Sequence, residues 1–179
     1  MIRLFAAIAI PDLIAEGLER RQQGIPGARW RPLRSLHITL RFAGEIAEPA
    51  ADDFDAALSG VTGASFDVVL AGVGAFGEGT DIHALWAGIE DNASLRQLAS
   101  RCEAAARRAG LKPDTRAWKP HVTLAYLRRP DPQRVAAWVQ GHNLLKAPPF
   151  RVASFGLYSS WPSDEGSVYR LERSYRLSG

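Results

Sequence analysis

The sequence has very little cysteine and no long apolar segment. Its single cysteine, Cys102, cannot form a disulfide within the chain, and no cluster of Cys and His residues offers the ligands of a zinc site. The apolar run near the N-terminus covers only seven residues, 4–10, far fewer than the roughly 20 that a membrane span needs. No small-residue cleavage site follows it. We therefore expect a cytoplasmic protein without a membrane segment.

Motifs for common cofactors and nucleophiles are also missing. The chain contains no Walker A loop, no dinucleotide-binding glycine motif and no G-x-S-x-G elbow. These absences argue against ATP-dependent and dinucleotide-dependent chemistry, and they weaken the case for Ser/His/Asp hydrolysis. We expect a function that uses no cofactor.

The composition is that of an ordinary globular protein. A chain of 179 residues with 46% hydrophobic and 23% charged residues can bury a sizeable core. The net charge is +3, and almost all the cations are Arg. Arginine binds phosphate oxygens in a bidentate manner, so this balance weakly favours a phosphate-bearing partner. An Arg-rich coding bias would explain it equally well.

Apolar periodicity and turn residues predict an alternation of strands and helices along the whole chain. Each half of the chain contains one strand with the pattern H-x-T. We predict an α+β fold in which residues 1–179 form a single domain with two pseudo-symmetric lobes. Each lobe is expected to be an antiparallel sheet with flanking helices, and the lobes should surround a central cleft rimmed by the loop 161–167. The predicted strands cover residues 4–10, 30–42, 65–76, 83–90, 121–127, 150–160 and 168–177, and the predicted helices cover 11–23, 48–60, 94–109 and 130–142.

The stretch HITLRFAGEI, residues 37–46, alternates polar and apolar side chains. Successive side chains of a strand point to opposite faces, so His37, Thr39 and Arg41 should share one face. The opposite face should belong to the core, with Leu36, Ile38, Leu40 and Phe42.

The stretch KPHVTLAYLRR, residues 119–129, repeats the motif. His121 and Thr123 share one face, and the same alternation extended along the chain puts Arg129 on it. The opposite face carries Val122, Leu124 and Tyr126. A single H-x-T motif is explained by a solvated strand face, since Thr is a good strand former. Two copies at equivalent places favour a shared functional site.

Two histidines suit acid–base chemistry at a phosphodiester. With reference pKa values near 6.5, one imidazole can be protonated as an acid while the other is neutral as a base. Threonine hydroxyls beside them can donate hydrogen bonds to phosphate oxygens. A metal site would need a third protein ligand, and neither H-x-T face carries a carboxylate, so we predict no metal. A module that binds phosphates without turnover remains an alternative.

The segments RWRPLRSLHITLRFAGEI, HALWAGI and KPHVTLAYLRR resemble the 2H phosphoesterases, in particular the RNA 2',3'-cyclic phosphodiesterases, also called 2'-5' RNA ligases. This resemblance implies hydrolysis of the 2',3'-cyclic phosphate of RNA ends or nucleotides to a 2'-phosphomonoester, and it leaves room for reversible 2'-5' ligation. It implies that His37 is the proton donor, that His121 is the proton acceptor, and that Thr39 and Thr123 hold the phosphate. Another cyclic phosphate or a 2'-5' linked oligonucleotide is the alternative substrate.

The sequence departs from the family pattern at one position. Many relatives have Arg three residues after the second Thr, where this chain has Tyr126. By strand alternation we expect Arg41 and Arg129 to supply the phosphate-binding cations instead. Trp30, Tyr126 and Trp161 are candidates for stacking on a nucleobase. No coiled-coil signature or obvious interface is present, so we expect a monomer without an obligate protein partner.

Overall fold

The structure, a computed structural model, describes all residues 1–179. It contains four helices and ten strands. Asn92 and Asp131 begin the third and fourth helices by accepting hydrogen bonds from the backbone N–H groups of Leu95 and Gln133. The helices are α1 (Asp12–Glu19), α2 (Glu48–Ser59), α3 (Ala93–Arg108) and α4 (Pro132–His142). The strands are β1 (Ile2–Ala9), β2 (Arg29–Trp30), β3 (His37–Ile46), β4 (Phe66–Val68), β5 (Leu70–Phe76), β6 (Ala84–Ile89), β7 (His121–Tyr126), β8 (Phe150–Val152), β9 (Ser154–Ser163) and β10 (Gly166–Arg176).

Eight of the strands form one antiparallel sheet. Its order is β10-β9-β1-β3-β7-β6-β5, with β2 paired to β7, while β4 and β8 form a separate two-stranded sheet. The two halves of the large sheet meet where β3 pairs with β7 at a single position, Ile38 with Val122. The α+β class with antiparallel strands and flanking helices is confirmed.

The two halves of the sheet do not follow the two halves of the chain, although the sequence pattern suggested that they would. The C-terminal strands β9 and β10 join β1 and β3, so one half of the sheet combines both ends of the chain. The other half combines β5, β6 and β7 with β2. Periodicity identifies a segment as a strand, but it carries no information on which distant strand will pair with it.

Three predicted strands are interrupted: 65–76 divides into β4 and β5, 150–160 divides into β8 and β9, and 30–42 is divided as well. The segment 30–42 divides into β2, a short 3-10 turn at Leu33–Ser35, and β3. Pro32 lies between β2 and this turn, and proline has no N–H group to donate to a neighbouring strand. The backbone of Arg31 still donates to Leu124 O at 2.8 Å, which holds this segment beside β7.

A continuous apolar core extends under both halves of the sheet. Helix α3 packs against β3 and α2, and α4 packs against β5. The fully buried residues Leu18, Phe54, Leu95 and Leu124 belong to this one cluster. Cys102 is also buried in it and is a free thiol. No helix has the length and apolar character that crossing a bilayer requires.

Candidate active site

The two H-x-T motifs lie on neighbouring strands. Ile38 of β3 and Val122 of β7 are antiparallel partners, and both side chains are completely buried. Their sequence neighbours therefore point to the opposite face of the sheet. In this register the position of His37 lies across from that of Thr123. The structure thus brings together the two motifs that the sequence separates by 84 residues.

His37 is partly buried beside two aromatic rings. Its Nδ1 atom is 2.7 Å from Ser35 O, and its Nε2 atom is 3.1 Å from Thr39 Oγ1. The ring lies 4.9 Å from the ring of Phe5 and 5.2 Å from that of Tyr169, between centroids. Burial lowers the pKa of His37 to about 4, and the positive charge of Arg31 acts in the same direction. In the free protein at neutral pH, His37 is therefore neutral.

His121 has a matching anchor on the other strand. Its Nδ1 atom is 2.6 Å from Lys119 O, and its ring meets the edge of Phe76 at 4.8 Å between centroids. Burial lowers the pKa of His121 below its ordinary value. In both histidines, Nδ1 donates to the carbonyl two residues earlier, which fixes the neutral tautomer and leaves Nε2 as the acceptor. Each ring therefore has one nitrogen committed to the backbone; His121 Nε2 has no protein partner, while His37 Nε2 accepts from the Thr39 hydroxyl.

A cavity of about 390 Å³ opens beside His121. Thr39 lies at its wall, and Trp118 Nε1 donates to Thr39 O at 3.0 Å. Phe76 and Lys119 line it as well, so it offers both apolar and cationic contacts to a ligand. No group of three or more His, Cys, Asp and Glu side chains comes together as metal ligands would.

Arg41 does not lie on the face of His37, which corrects the prediction from strand alternation. Ala6 of β1 faces Arg41 while Ala7 faces Thr39, so Leu40 is an extra residue that forms a bulge in β3. Beyond the bulge the alternation is reversed. The Arg41 side chain is only 6% exposed and is ion-paired with Glu103 of α3. It also donates to the backbone carbonyls of Phe42 and Lys112, so its donors are used within the protein.

Arg129 does not follow the alternation of β7 either, because that strand ends at Tyr126. Arg129 has a φ of 46°, in the left-handed region, and its side chain is exposed without a hydrogen bond or ion pair. A second bulge precedes it: Leu85 faces Ala125 while Trp86 faces Thr123. As a result, Ala125 and Leu127 are buried, and Tyr126, which alternation placed on the face opposite His121 and which is a stacking candidate, is 42% exposed.

Comparison with known proteins identifies the family. A profile of the 2'-5' RNA ligase superfamily matches residues 10–161. The chain belongs to this superfamily. A related RNA 2',3'-cyclic phosphodiesterase from Archaeoglobus fulgidus is 28% identical over 172 residues, which cover 94% of this chain and 97% of the relative.

Several solved structures share the fold of this chain. TT0787 of Thermus thermophilus superimposes with a TM-score of 0.82 and 24% identity, and the alignment covers 99% of both chains. LigT of E. coli, solved in complex with 3'-AMP, gives a TM-score of 0.80 and 24% identity, again over 99% of both chains. At these identities the likeness establishes the architecture.

Arg31 and Tyr169 are two neighbours of His37 that were not predicted from the sequence. Tyr169 comes from β10, near the other end of the chain, and no motif marks it. Arg31 follows the two-residue strand β2, too short for a periodic pattern. The only feature of the sequence that draws attention to Arg31 is its position next to Trp30. Of the predicted stacking residues, Trp161 is 48% exposed, and Trp30 instead packs against Trp138 at 6.0 Å between centroids.

Proposed function

We propose that this protein hydrolyses the 2',3'-cyclic phosphate of RNA ends or nucleotides to a 2'-phosphomonoester. The observation that carries the proposal is the pairing of the two H-x-T strands, each with a histidine anchored through Nδ1 and a threonine two residues later. The superfamily match and the named activity of the Archaeoglobus relative support the same activity.

The proposed reaction is an in-line displacement at phosphorus. His121 Nε2 accepts a proton from water as the water oxygen forms its bond to phosphorus. The bond from phosphorus to the 3'-oxygen breaks, and His37 Nε2–H gives its proton to that oxygen. The product is a 2'-phosphate beside a free 3'-hydroxyl. An RNA 5'-hydroxyl in place of water would give a 2'-5' phosphodiester by the same exchange of protons.

The threonines and the substrate charge complete the proposed mechanism. Thr39 Oγ1 lies 3.1 Å from His37 Nε2, and Thr123 lies across from His37 in the strand register. Their hydroxyls are proposed to donate to the non-bridging phosphate oxygens. His37 must carry a proton to act as the acid, although its pKa in the free protein is about 4. The negative charge of the bound phosphate raises the pKa of His37 in the complex, so that the ring can take up a proton from solvent.

Turnover of a 2',3'-cyclic nucleotide in excess chelator tests this function. We expect a 2'-phosphate product and undiminished activity, which also tests the prediction of a site without a metal. His37→Ala and His121→Ala should each lower the rate about 10²-fold to 10⁴-fold, the usual contribution of a positioned acid or base. His142→Ala is the matched control, because His142 lies on α4 against Trp138. Binding without turnover would instead identify a phosphate-binding module.

A change of leaving group distinguishes the acid from the base. A substrate with sulfur in place of the 3'-bridging oxygen departs as a thiolate and has little need of a proton. The His37→Ala variant should recover most of its lost rate on this substrate, while His121→Ala should not. Recovery in His121→Ala alone would exchange the two roles. The cytoplasmic location and the monomeric state stay predictions.

A further inference from the structure

Arg31 is a buried cation without an acidic partner. Its side chain is only 6% exposed, and it forms no ion pair with a carboxylate. Its one hydrogen bond runs from Nη2 to Ser167 O at 3.2 Å. Arginine is rarely buried unless its charge is paired, since removing an ion from water is costly. A phosphate would provide the missing countercharge.

The position of Arg31 connects it to the candidate site. Its guanidinium carbon lies 5.6 Å from the ring centroid of Tyr126 and 5.5 Å from that of Tyr169. The Tyr169 ring in turn contacts His37, and the charge of Arg31 acts on His37. The two tyrosine rings hold the guanidinium through cation–π contacts and leave its Nε and Nη1 donors without a protein acceptor.

The other candidate cations are less suitable. Arg41 uses its donors on Glu103 and on two backbone carbonyls. Arg129 is exposed beyond the end of β7. Arg29 is exposed at the start of β2. Arg31 alone among these four is both buried beside Tyr169, whose ring contacts His37, and free to donate.

We propose that Arg31 binds the phosphate group of the substrate through Nε and Nη1. The inference rests on the proposed function and names the residue that recognises the anion in the same site. A fork of two parallel N–H donors matches two phosphate oxygens. The bound anion also offsets the unfavourable effect of Arg31 on a protonated His37.

Binding of adenosine 2'-phosphate, measured by calorimetry, tests Arg31 without any turnover. We expect Arg31→Met to bind about 10-fold to 100-fold more weakly than the wild type, as loss of a charge-assisted hydrogen bond predicts. The control is Arg34→Met, because Arg34 is exposed and its side chain makes no hydrogen bond or ion pair. Thermal melting checks the fold of each variant. If Arg31→Met does not fold, Arg31→Gln, which can still donate to Ser167 O, replaces it.

A second substitution tests whether the charge itself is what matters. Because Tyr126 lies next to the Arg31 guanidinium, a guanidinium placed at position 126 can reach the same region. Arg31→Met combined with Tyr126→Arg should therefore bind adenosine 2'-phosphate at least about fivefold more tightly than Arg31→Met alone. This gain would recover part of the affinity that Arg31→Met loses.

Two results would overturn the proposal. One is a folded Arg31→Met protein that binds within about threefold of the wild type, less than any charged contact should cost. The other is a double variant no better than Arg31→Met, which would mean that Arg31 only supports the β9–β10 hairpin. A wild-type protein that binds adenosine 2'-phosphate but does not hydrolyse cyclic phosphates would contradict the proposed function and leave the role of Arg31 intact.

Discussion

The low pKa of His37 predicts different pH profiles for the free protein and for its substrate complex. The profile of kcat/KM reports ionisations of the free enzyme, and that of kcat reports ionisations of the complex. With the pKa of His37 at about 4 and that of His121 below its ordinary value, kcat/KM should have its optimum below pH 6.5. Its acid limb should lie near pH 4, and the optimum of kcat should lie closer to neutrality.

The size of the difference follows from two opposing energies. A pKa of about 4 instead of 6.5 corresponds to about 3 kcal/mol against the imidazolium ion. At pH 7, roughly one free molecule in a thousand then carries a proton on His37. A phosphate charge at ~4 Å in surroundings with an effective dielectric constant of ~20 contributes about 4 kcal/mol in the opposite direction. Bound substrate can therefore return the pKa of His37 to the neutral range.

Steady-state rates with a 2',3'-cyclic nucleotide, measured from pH 3.5 to 9 in buffers of constant ionic strength, provide the assay. The residual activity of His37→Ala should lack the limb near pH 4, which assigns that limb to His37. Coincident profiles of kcat and kcat/KM, both with an acid limb near pH 6.5, would refute the reasoning. They would mean that the partly buried, aromatic surroundings of His37 do not disfavour its charged form.

Three further predictions concern stability. The unfolded chain binds more protons than the folded one between pH 6.5 and 4, because the pKa of His37 is lower in the folded state. The free energy of unfolding in urea should therefore fall by up to about 3 kcal/mol as the pH decreases through this window, and His37→Ala should weaken that dependence. Glu103→Gln removes the charged partner of Arg41 and should lower the free energy of unfolding by about 1–3 kcal/mol, and an unchanged urea midpoint would contradict it. Gly74→Ala brings a Cβ within 2.3 Å of the Trp86 ring and should cost about 1–3 kcal/mol, while Gly141→Ala, with open space around it on α4, should stabilise by about 0.4–1 kcal/mol. Equal midpoints for these two glycine variants would refute the packing argument.

The two bulges show where sequence reasoning loses accuracy. Strand alternation correctly assigned Ile38, Leu40 and Val122 to the core. It failed at Arg41, which is buried, and at Phe42, which is only partly buried, because one extra residue in β3 reverses the faces beyond it. It failed again past Leu124 in β7. The register of a strand depends on the neighbour with which it pairs, and both neighbours are distant in sequence.

Local pattern was enough to determine the strands that carry the H-x-T motifs and the order of helices and strands along the chain. The alternation of side chains is a property of the backbone itself, so it can be read wherever a strand is regular. The tertiary structure alone decided that β3 and β7 are neighbours, that Arg41 turns to Glu103, and that Arg31 lies between two tyrosines near His37. These features depend on contacts between segments far apart in the chain. Such contacts cannot be predicted from composition or from the periodicity of a single segment.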